Sequence, residues 1–537
     1  MVSKLLTVLL YTQVVAAKFA ASTISELQQQ IRVPGARSEE EPVDPADLYP
    51  AYNLSVPIDH FHNETKYAPH SNETFSLRYW FDSSHYETGG PVIILSAGET
   101  DGEGRLPYLQ KGILGQLAKA TRGVGVVLEH RYYGTSVPTP DMSTENLRFL
   151  TTDQALADTA YFAKNVVFDG MTDLDLTAPN VPYIAYGGSY AGAFVSFLRK
   201  LYPDVFFGAI SSSGVTKAIW DYWEYYEPVR LNAPEKCVAT QQALIDVVDG
   251  ILLRQDDSDI ISDMRDVFGV SGLTHDDDFA NLLSLGIGGW QSRNWDPAMN
   301  DPSFDYYCGN ITTEDPLYPA TAELRPTVED IISVGGGVDD DKFTTQFLNW
   351  IGYVNASSVA PCHRSNQTDD QCFTSHNSTF YKQDDIAQQW RSWPYQYCTE
   401  WGYLQTGSGV PEDQLPLISR ALDIEYLSTI CREAFGIDEP ADVEIINKHG
   451  GFNISYPRLA IIDGEADPWK EATPHASAAR PRESTTSEPF ILIPGAVHHW
   501  DENGLFPNET TPELPPPEVR ETQEDIIEFV KEWLKEW

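Results

Sequence analysis

Hydrophobic positions are unevenly spread along the chain. From about residue 50 to 215, short apolar runs end in glycine-rich loops and alternate with stretches of helical spacing. Val92-Ile93-Ile94-Leu95, Val124 to Leu128, Tyr183-Ile184-Ala185-Tyr186 and Phe207 to Ile210 are continuous enough to be strands covered on both faces. The intervals between them leave room for crossover helices, so a parallel sheet is expected. From 218 to 440 such runs are few, and aromatics, amphipathic segments and acidic loops take over. The strand pattern returns at Leu459-Ala460-Ile461-Ile462 and Phe490-Ile491-Leu492-Ile493. After Pro515-Pro516-Pro517, Ile526, Ile527, Phe529, Val530 and Leu534 recur at helical spacing. The pattern predicts an α/β domain in two parts, 46–217 and 441–537, interrupted by a mostly helical cap over 218–440.

The N-terminal pattern differs. Lys4 precedes the apolar run Leu5 to Leu10, and Val15-Ala16-Ala17 offers small residues for cleavage. This is expected to be a signal peptide over 1–17, since a membrane span needs about 20 apolar residues. A polar leader or propeptide over 18–45 follows, with Gln28-Gln29-Gln30 and Glu39-Glu40-Glu41. All six cysteines, Cys237, Cys308, Cys362, Cys372, Cys398 and Cys431, fall in the cap region, and none has zinc-ligand spacing, so disulfides are expected there. Nine glycosylation sequons, at Asn53, Asn63, Asn72, Asn310, Asn355, Asn366, Asn377, Asn453 and Asn508, fit the same secreted route.

Composition narrows the class. Of 537 residues, 79 are Asp or Glu and 36 are Lys or Arg, a net charge of −43. A polyanion of this size has no basic face for nucleic acid. With 42% hydrophobic residues it is not a disordered polyelectrolyte either. The charge suggests a protein that tolerates mildly acidic pH, where carboxylates approach their reference values and self-repulsion falls. The acidic runs Asp276-Asp277-Asp278 and Asp339-Asp340-Asp341 lack an EF-hand pattern and are taken as solvated turns, so no metal and no cofactor is expected.

The chemistry begins at Tyr186-Gly187-Gly188-Ser189-Tyr190-Ala191-Gly192, which follows a strand run and precedes a helical one. That is the setting of a nucleophile elbow, whose tight turn requires small neighbours and lifts the serine hydroxyl to a helix N-terminus. Ala191 stands where the usual pattern has glycine, and is still small. The backbone N–H of Tyr190 would be one oxyanion donor, and the loop of Gly98 after Val92–Leu95 the natural source of a second. An elbow serine needs an acid and then a histidine later in the chain. Asp467 is preferred over Asp463 because Pro468 stiffens its loop; His498 and His499 are not separated by spacing.

These motifs, with Ile58-Asp59-His60-Phe61, Thr74 to Trp80, Glu129 to Gly134, Tyr397 to Gly402, Asp467-Pro468-Trp469 and Gly495 to His499, resemble the serine peptidases that include lysosomal Pro-X carboxypeptidase, dipeptidyl peptidase II and fungal prolyl endoproteases. The resemblance runs from about Pro57 to the C-terminus. It implies an α/β-hydrolase fold with a helical insertion and cleavage after proline. By position it makes Ser189 the nucleophile, Asp467 the acid, His498 the base, Tyr190 the oxyanion residue and Trp469 a wall of the proline pocket. It makes Glu99 a loop acid able to meet a substrate amine, and pairs Cys398 with Cys431. Ala193 stands where some members carry a larger apolar residue, so the pocket is expected to be roomier. The expected substrates are proline-containing peptides or proteins, endo- or exo-cleavage being open, with a lipase or esterase of the same fold as the lesser alternative. Expected too are secretion, or a lysosome- or vacuole-like compartment, and no membrane association after signal cleavage. A homodimer is left open.

Overall fold

The computed structural model describes residues 43–254, 258–338 and 340–537. The expected signal peptide, and the expected leader as far as residue 42, lie outside the described residues.

Eight strands form one sheet in the order β1-β2-β4-β3-β5-β6-β9-β10. They are β1 (Tyr52–Pro57), β2 (Thr74–Asp82), β3 (Val92–Ser96), β4 (Val124–Leu128), β5 (Tyr183–Gly188), β6 (Gly208–Ser212), β9 (Leu459–Gly464) and β10 (Phe490–Ile493). β1 and β2 pair antiparallel, β2 meets β4 antiparallel, and every other pairing is parallel. This is the α/β-hydrolase fold.

The apolar runs are continuous because both faces are covered. Alternate residues go to opposite sides: Ile93, Leu95, Ile184, Tyr186 and Ile462 join the core under the helices Ile113–Thr121 and Pro517–Leu534. Val92, Ile94, Tyr183, Ala185 and Ile461 join the larger core that takes in the helices Thr152–Asn165 and Tyr190–Leu201 and continues into the cap. The helix Thr152–Asn165 starts where the Thr151 hydroxyl accepts the Gln154 N–H.

Between β6 and β9 the chain is mostly helical. It also carries two short strands, β7 (Ile219–Asp221) and β8 (Gly402–Leu404), that pair in parallel. Three disulfides, Cys237–Cys308, Cys362–Cys372 and Cys398–Cys431, use all six cysteines. One expectation fails here. Asp276 to Asp278 is not a solvated turn: the helix Asp276–Gly288 begins there, and Asp278 is fully buried. Its carboxylate accepts the Ser375 N–H at 2.8 Å and the Tyr426 hydroxyl at 2.9 Å. In the other acidic run Asp340 is exposed and caps a helix, its side chain accepting the Phe343 N–H.

Among the described residues no helix is long and apolar enough to cross a membrane. Seven of the sequon asparagines are exposed. Asn310 and Asn377 are half-buried, and Asn377 caps the helix Ser378–Tyr381.

Candidate active site

The turn between β5 and the helix Tyr190–Leu201 is strained and held. Ser189 has φ +60° and ψ −126°, a conformation that costs free energy outside glycine. Its N–H donates to Ser212 O at 2.9 Å, and its carbonyl accepts from Gly192 and Ala193. The flanking glycines are dictated by space: a Cβ on Gly187 would lie 2.2 Å from Ala191 O, and one on Gly192 would lie 2.8 Å from Ser212 O. Ser189 therefore sits at the positive end of a twelve-residue helix, fastened to the end of β6.

Asp467 and His498 meet in loops that follow β9 and β10. Both are buried, and His498 Nδ1 lies 2.9 Å and 3.1 Å from the two Asp467 oxygens. Burial by itself would raise the Asp467 carboxyl. The His498 imidazole, the Ser213 hydroxyl and the Trp469 N–H outweigh it and hold Asp467 below the usual carboxylate range. Ser213, next after the residue that holds Ser189, bonds Asp467 and also accepts the His499 N–H at 2.9 Å. Ser212 and Ser213 thus connect the elbow to the imidazole–carboxylate pair.

The two alternatives separate by partner. Asp463 bonds His475 Nδ1 at 2.6 Å, in a cluster stacked on Phe490. His499 lies with Nδ1 2.9 Å from Glu502.

The cap clamps the acid loop. Tyr222 donates to Pro468 O at 2.9 Å, and Trp290 Nε1 to Ala466 O at 2.7 Å. Trp469 stacks on Tyr222 at 5.5 Å and meets Tyr225 and Tyr403 edge-on, while its Nε1 donates to Gln291. Tyr190 is buried; its hydroxyl meets His130 Nε2 and Gln396 Nε2, each at 3.0 Å. Desolvation pushes His130 down to about 4, so this imidazole is a neutral prop at any pH above that. Gly98 has φ +73° and faces Ala191 of the elbow helix, where its own Cβ would stand 3.3 Å away. Ala193 is fully buried within the helix.

The Glu129–Gly134 motif is scaffolding for this region. The Glu129 carboxylate accepts from Arg78, Gly102 N–H, Thr135 N–H and Ser136. Arg131 grips Asp158 through two bonds of 2.5 and 2.6 Å.

An acidic cluster under the elbow was not anticipated. Asp501 and Glu502 are buried. Asp501 accepts from Ser212 Oγ at 2.5 Å and from Tyr186 at 2.7 Å, and burial pushes it up to about 6. Burial would raise Glu502 as well, but the charges of His499 and Arg105 hold it low. Burial raises Glu99, against the pull of Arg105 and His499. The signal was in the sequence: Asp501 and Glu502 stand three and four residues after His498.

A cavity of about 370 Å³ opens beside the site in the cap. Its wall includes Trp393, which packs on Tyr190 at 5.5 Å, and Tyr403, which packs on Trp469 at 5.2 Å. Ser284, Leu285, Ile418 and Tyr426 line it further in, a largely apolar space sized for a peptide's side chains. Ala193 does not line it.

The chain matches a family model described as serine carboxypeptidase S28 over residues 56–282 and 334–514. It is 54% identical over 531 residues to a "Probable extracellular serine carboxypeptidase" of Arthroderma benhamiae, covering 98% of this chain and 74% of that one. It is 30% identical over 448 residues to "Serine protease vicPa" of Bipolaris victoriae, covering 80% of each. Among solved structures it is similar to a proline iminopeptidase of Mycobacterium smegmatis, with 11% identity, a TM-score of 0.35, and coverage of 90% of this chain and 99% of that one. That likeness is too distant to add to what the strand order already gives.

Proposed function

This chain belongs to the serine carboxypeptidase S28 family of serine peptidases, and we propose that it hydrolyses peptide bonds on the C-terminal side of proline through Ser189, Asp467 and His498. The observation that carries the proposal is the buried Asp467–His498 pair, tied through Ser212 and Ser213 to a strained serine at a helix N-terminus.

In this reading His498 takes the Ser189 proton as the hydroxyl attacks the scissile carbonyl. Asp467, accepting from Nδ1–H, keeps the Nε2 lone pair aimed at the serine and stabilises the imidazolium that forms. The Tyr190 N–H, and a second N–H from the Gly98 loop, receive the oxyanion. Collapse of the tetrahedral intermediate breaks the C–N bond. His498 returns the proton to the leaving amine, and water then repeats the sequence on the acyl-enzyme.

Proline preference is supported by the aromatic walls of the cavity, Trp393 and Tyr403, on which the flat apolar faces of a pyrrolidine ring can pack, with buried Trp469 behind Tyr403. Work outside the cell is supported by the three disulfides, the exposed sequons and the name of the Arthroderma benhamiae relative. That name also favours release of residues from a C-terminus over internal cleavage. One peptide with an internal proline, offered at mildly acidic pH with free and with blocked ends, decides both points by mass spectrometry of the products. Cleavage after proline only when the C-terminus is free supports the carboxypeptidase; cleavage of both forms makes it an endopeptidase. No cleavage at proline, or cleavage that persists in Ser189→Ala, overturns the proposal.

A further inference from the structure

Away from the elbow, two groups among the described residues bring three metal-binding side chains together, with one donor atom from each lying within 4.8 Å of the others. In the first, Asp59, His62 and His70, the carboxylate is already spent. Asp59 Oδ1 accepts from the Phe61 N–H and Gln154, and Oδ2 meets His70 at 2.7 Å.

In the second group, His275, Asp277 and His376, Asp277 Oδ1 accepts the Asp278 N–H at 2.8 Å, while Oδ2 faces the imidazole of His376. The two imidazoles are exposed and stack with centroids 4.0 Å apart. His376 Nε2 stands 3.2 Å from both oxygens of Asp277. One donor atom from each of the three side chains lies within 4.8 Å of the others, close enough for a single cation to reach all three.

The ligands are also held from behind. Thr274, just before His275, donates its N–H and its hydroxyl to Asp370 at 2.8 and 2.6 Å. Ser375, just before His376, donates its N–H to buried Asp278, and the His376 N–H is taken by Thr374. The Cys362–Cys372 disulfide closes the chain that leads into this segment. Such support holds the ligand-bearing backbone in place before any ion arrives.

We propose that His275, Asp277 and His376 form a binding site for a divalent transition-metal ion, zinc by donor type, which staples the start of the helix Asp276–Gly288 to the 374–377 segment. Two nitrogens and one oxygen suit zinc, whereas calcium and magnesium take oxygen donors. The fourth position is left to water. The ion takes no part in peptide hydrolysis. Its leverage is on the cavity wall, because Leu282, Ser284 and Leu285 of that helix and Ser375 of that segment line the same cavity.

The test uses the full chain, chelator-treated and deglycosylated, since Asn377 beside His376 is a sequon. Zinc is titrated calorimetrically near neutral pH, with cobalt as a spectroscopic probe. One equivalent should bind, cobalt should show the visible bands of a four-coordinate nitrogen–oxygen site, and zinc should raise the thermal midpoint. His376→Ala should weaken zinc by at least about tenfold, and excess magnesium should not compete. Asp277→Asn serves as the milder variant if His376→Ala fails to fold, with fluorophosphonate labelling as the check on folding. Absence of zinc binding, or binding that neither variant alters, overturns the proposal.

Discussion

Replacing Asp467 by asparagine tests the proposed catalytic pair at a single atom. In the native site Oδ1 accepts the Trp469 N–H at 2.9 Å, and Oδ2 faces His498 Nδ1 at 2.9 Å. Asparagine keeps one oxygen. The Trp469 N–H needs an acceptor, so the oxygen stays at the Oδ1 position and the amide NH₂ lands opposite Nδ1. A donor there forces the imidazole to carry its proton on Nε2, where it can no longer accept from Ser189. The negative charge that would stabilise the imidazolium is lost as well. In a serine triad this change costs about four orders of magnitude in kcat, or about 5 kcal/mol of barrier. The assay is kcat on an internal-proline peptide, with the rate of fluorophosphonate labelling as a second readout. Asp463→Asn is the control. Its partner is His475, so it should lower stability by about 1–3 kcal/mol and leave kcat within about tenfold. Near-normal turnover in Asp467→Asn, with collapse in Asp463→Asn, would refute the assignment of the acid.

Asp501 should make the fold more stable in acid. Its folded carboxyl titrates at about 6 against 3.8 for the free group, so the folded state binds the proton more tightly. That contribution is present below about pH 4 and is lost as pH rises through about 6, a swing of up to about 3 kcal/mol. Asp501→Asn should flatten the dependence of denaturation midpoint on pH in that window and stabilise the protein near neutrality; an unchanged profile rejects the claim. Gly187→Ala would press a methyl to 2.2 Å from Ala191 O and should cost about 1–3 kcal/mol and slow fluorophosphonate labelling. Gly188→Ala meets its nearest neighbour, Glu502, only at 3.2 Å and should be far milder, so equal losses of thermal midpoint would contradict the packing. Breaking Cys398–Cys431 by Cys398→Ser should lower stability by about 2–4 kcal/mol in chemical denaturation.

The central strands were legible because a strand buried on both faces is a continuous apolar run that needs no partner to announce itself: β4 is Val124–Leu128 in pattern and in fold. The antiparallel strands β1 and β2 were not read as strands. β1 alternates exposed and half-covered residues at the sheet edge, and its register with β2 is set by contacts that no local pattern carries. The elbow was equally plain, because its turn imposes small residues around Ser189. In the loops after β9, Pro468 favoured Asp467 and the resemblance favoured His498, and these two side chains do meet, although spacing alone did not separate His498 from His499. Asp463 and Asp467 are four residues apart, and His475, the partner of Asp463, attracted no notice as a candidate.

The acidic residues show the same limit with the opposite sign. A run such as Asp276-Asp277-Asp278 reads as solvated because burying a carboxylate is costly without donors. Asp278 is buried because its donors arrive from 97 and 148 residues away, Ser375 N–H and the Tyr426 hydroxyl. Asp501 finds Ser212 and Tyr186 by the same kind of long-range closure. In both cases the supply of donors decides whether the charge is tolerated. Among the described residues Asp501 has two hydroxyls and no cation bonded to it, so its ionisation is disfavoured until pH rises towards about 6. Glu502, beside it in sequence, has His499 and Arg105, which outweigh its burial and hold it below the usual carboxylate range. Two adjacent carboxyls under one elbow are therefore pushed in opposite directions, and Asp501 gives up its charge first as the medium is acidified. The acid tolerance expected from the −43 net charge thus has a second predicted source, the protonated Asp501 packed beneath the elbow, which Asp501→Asn would remove.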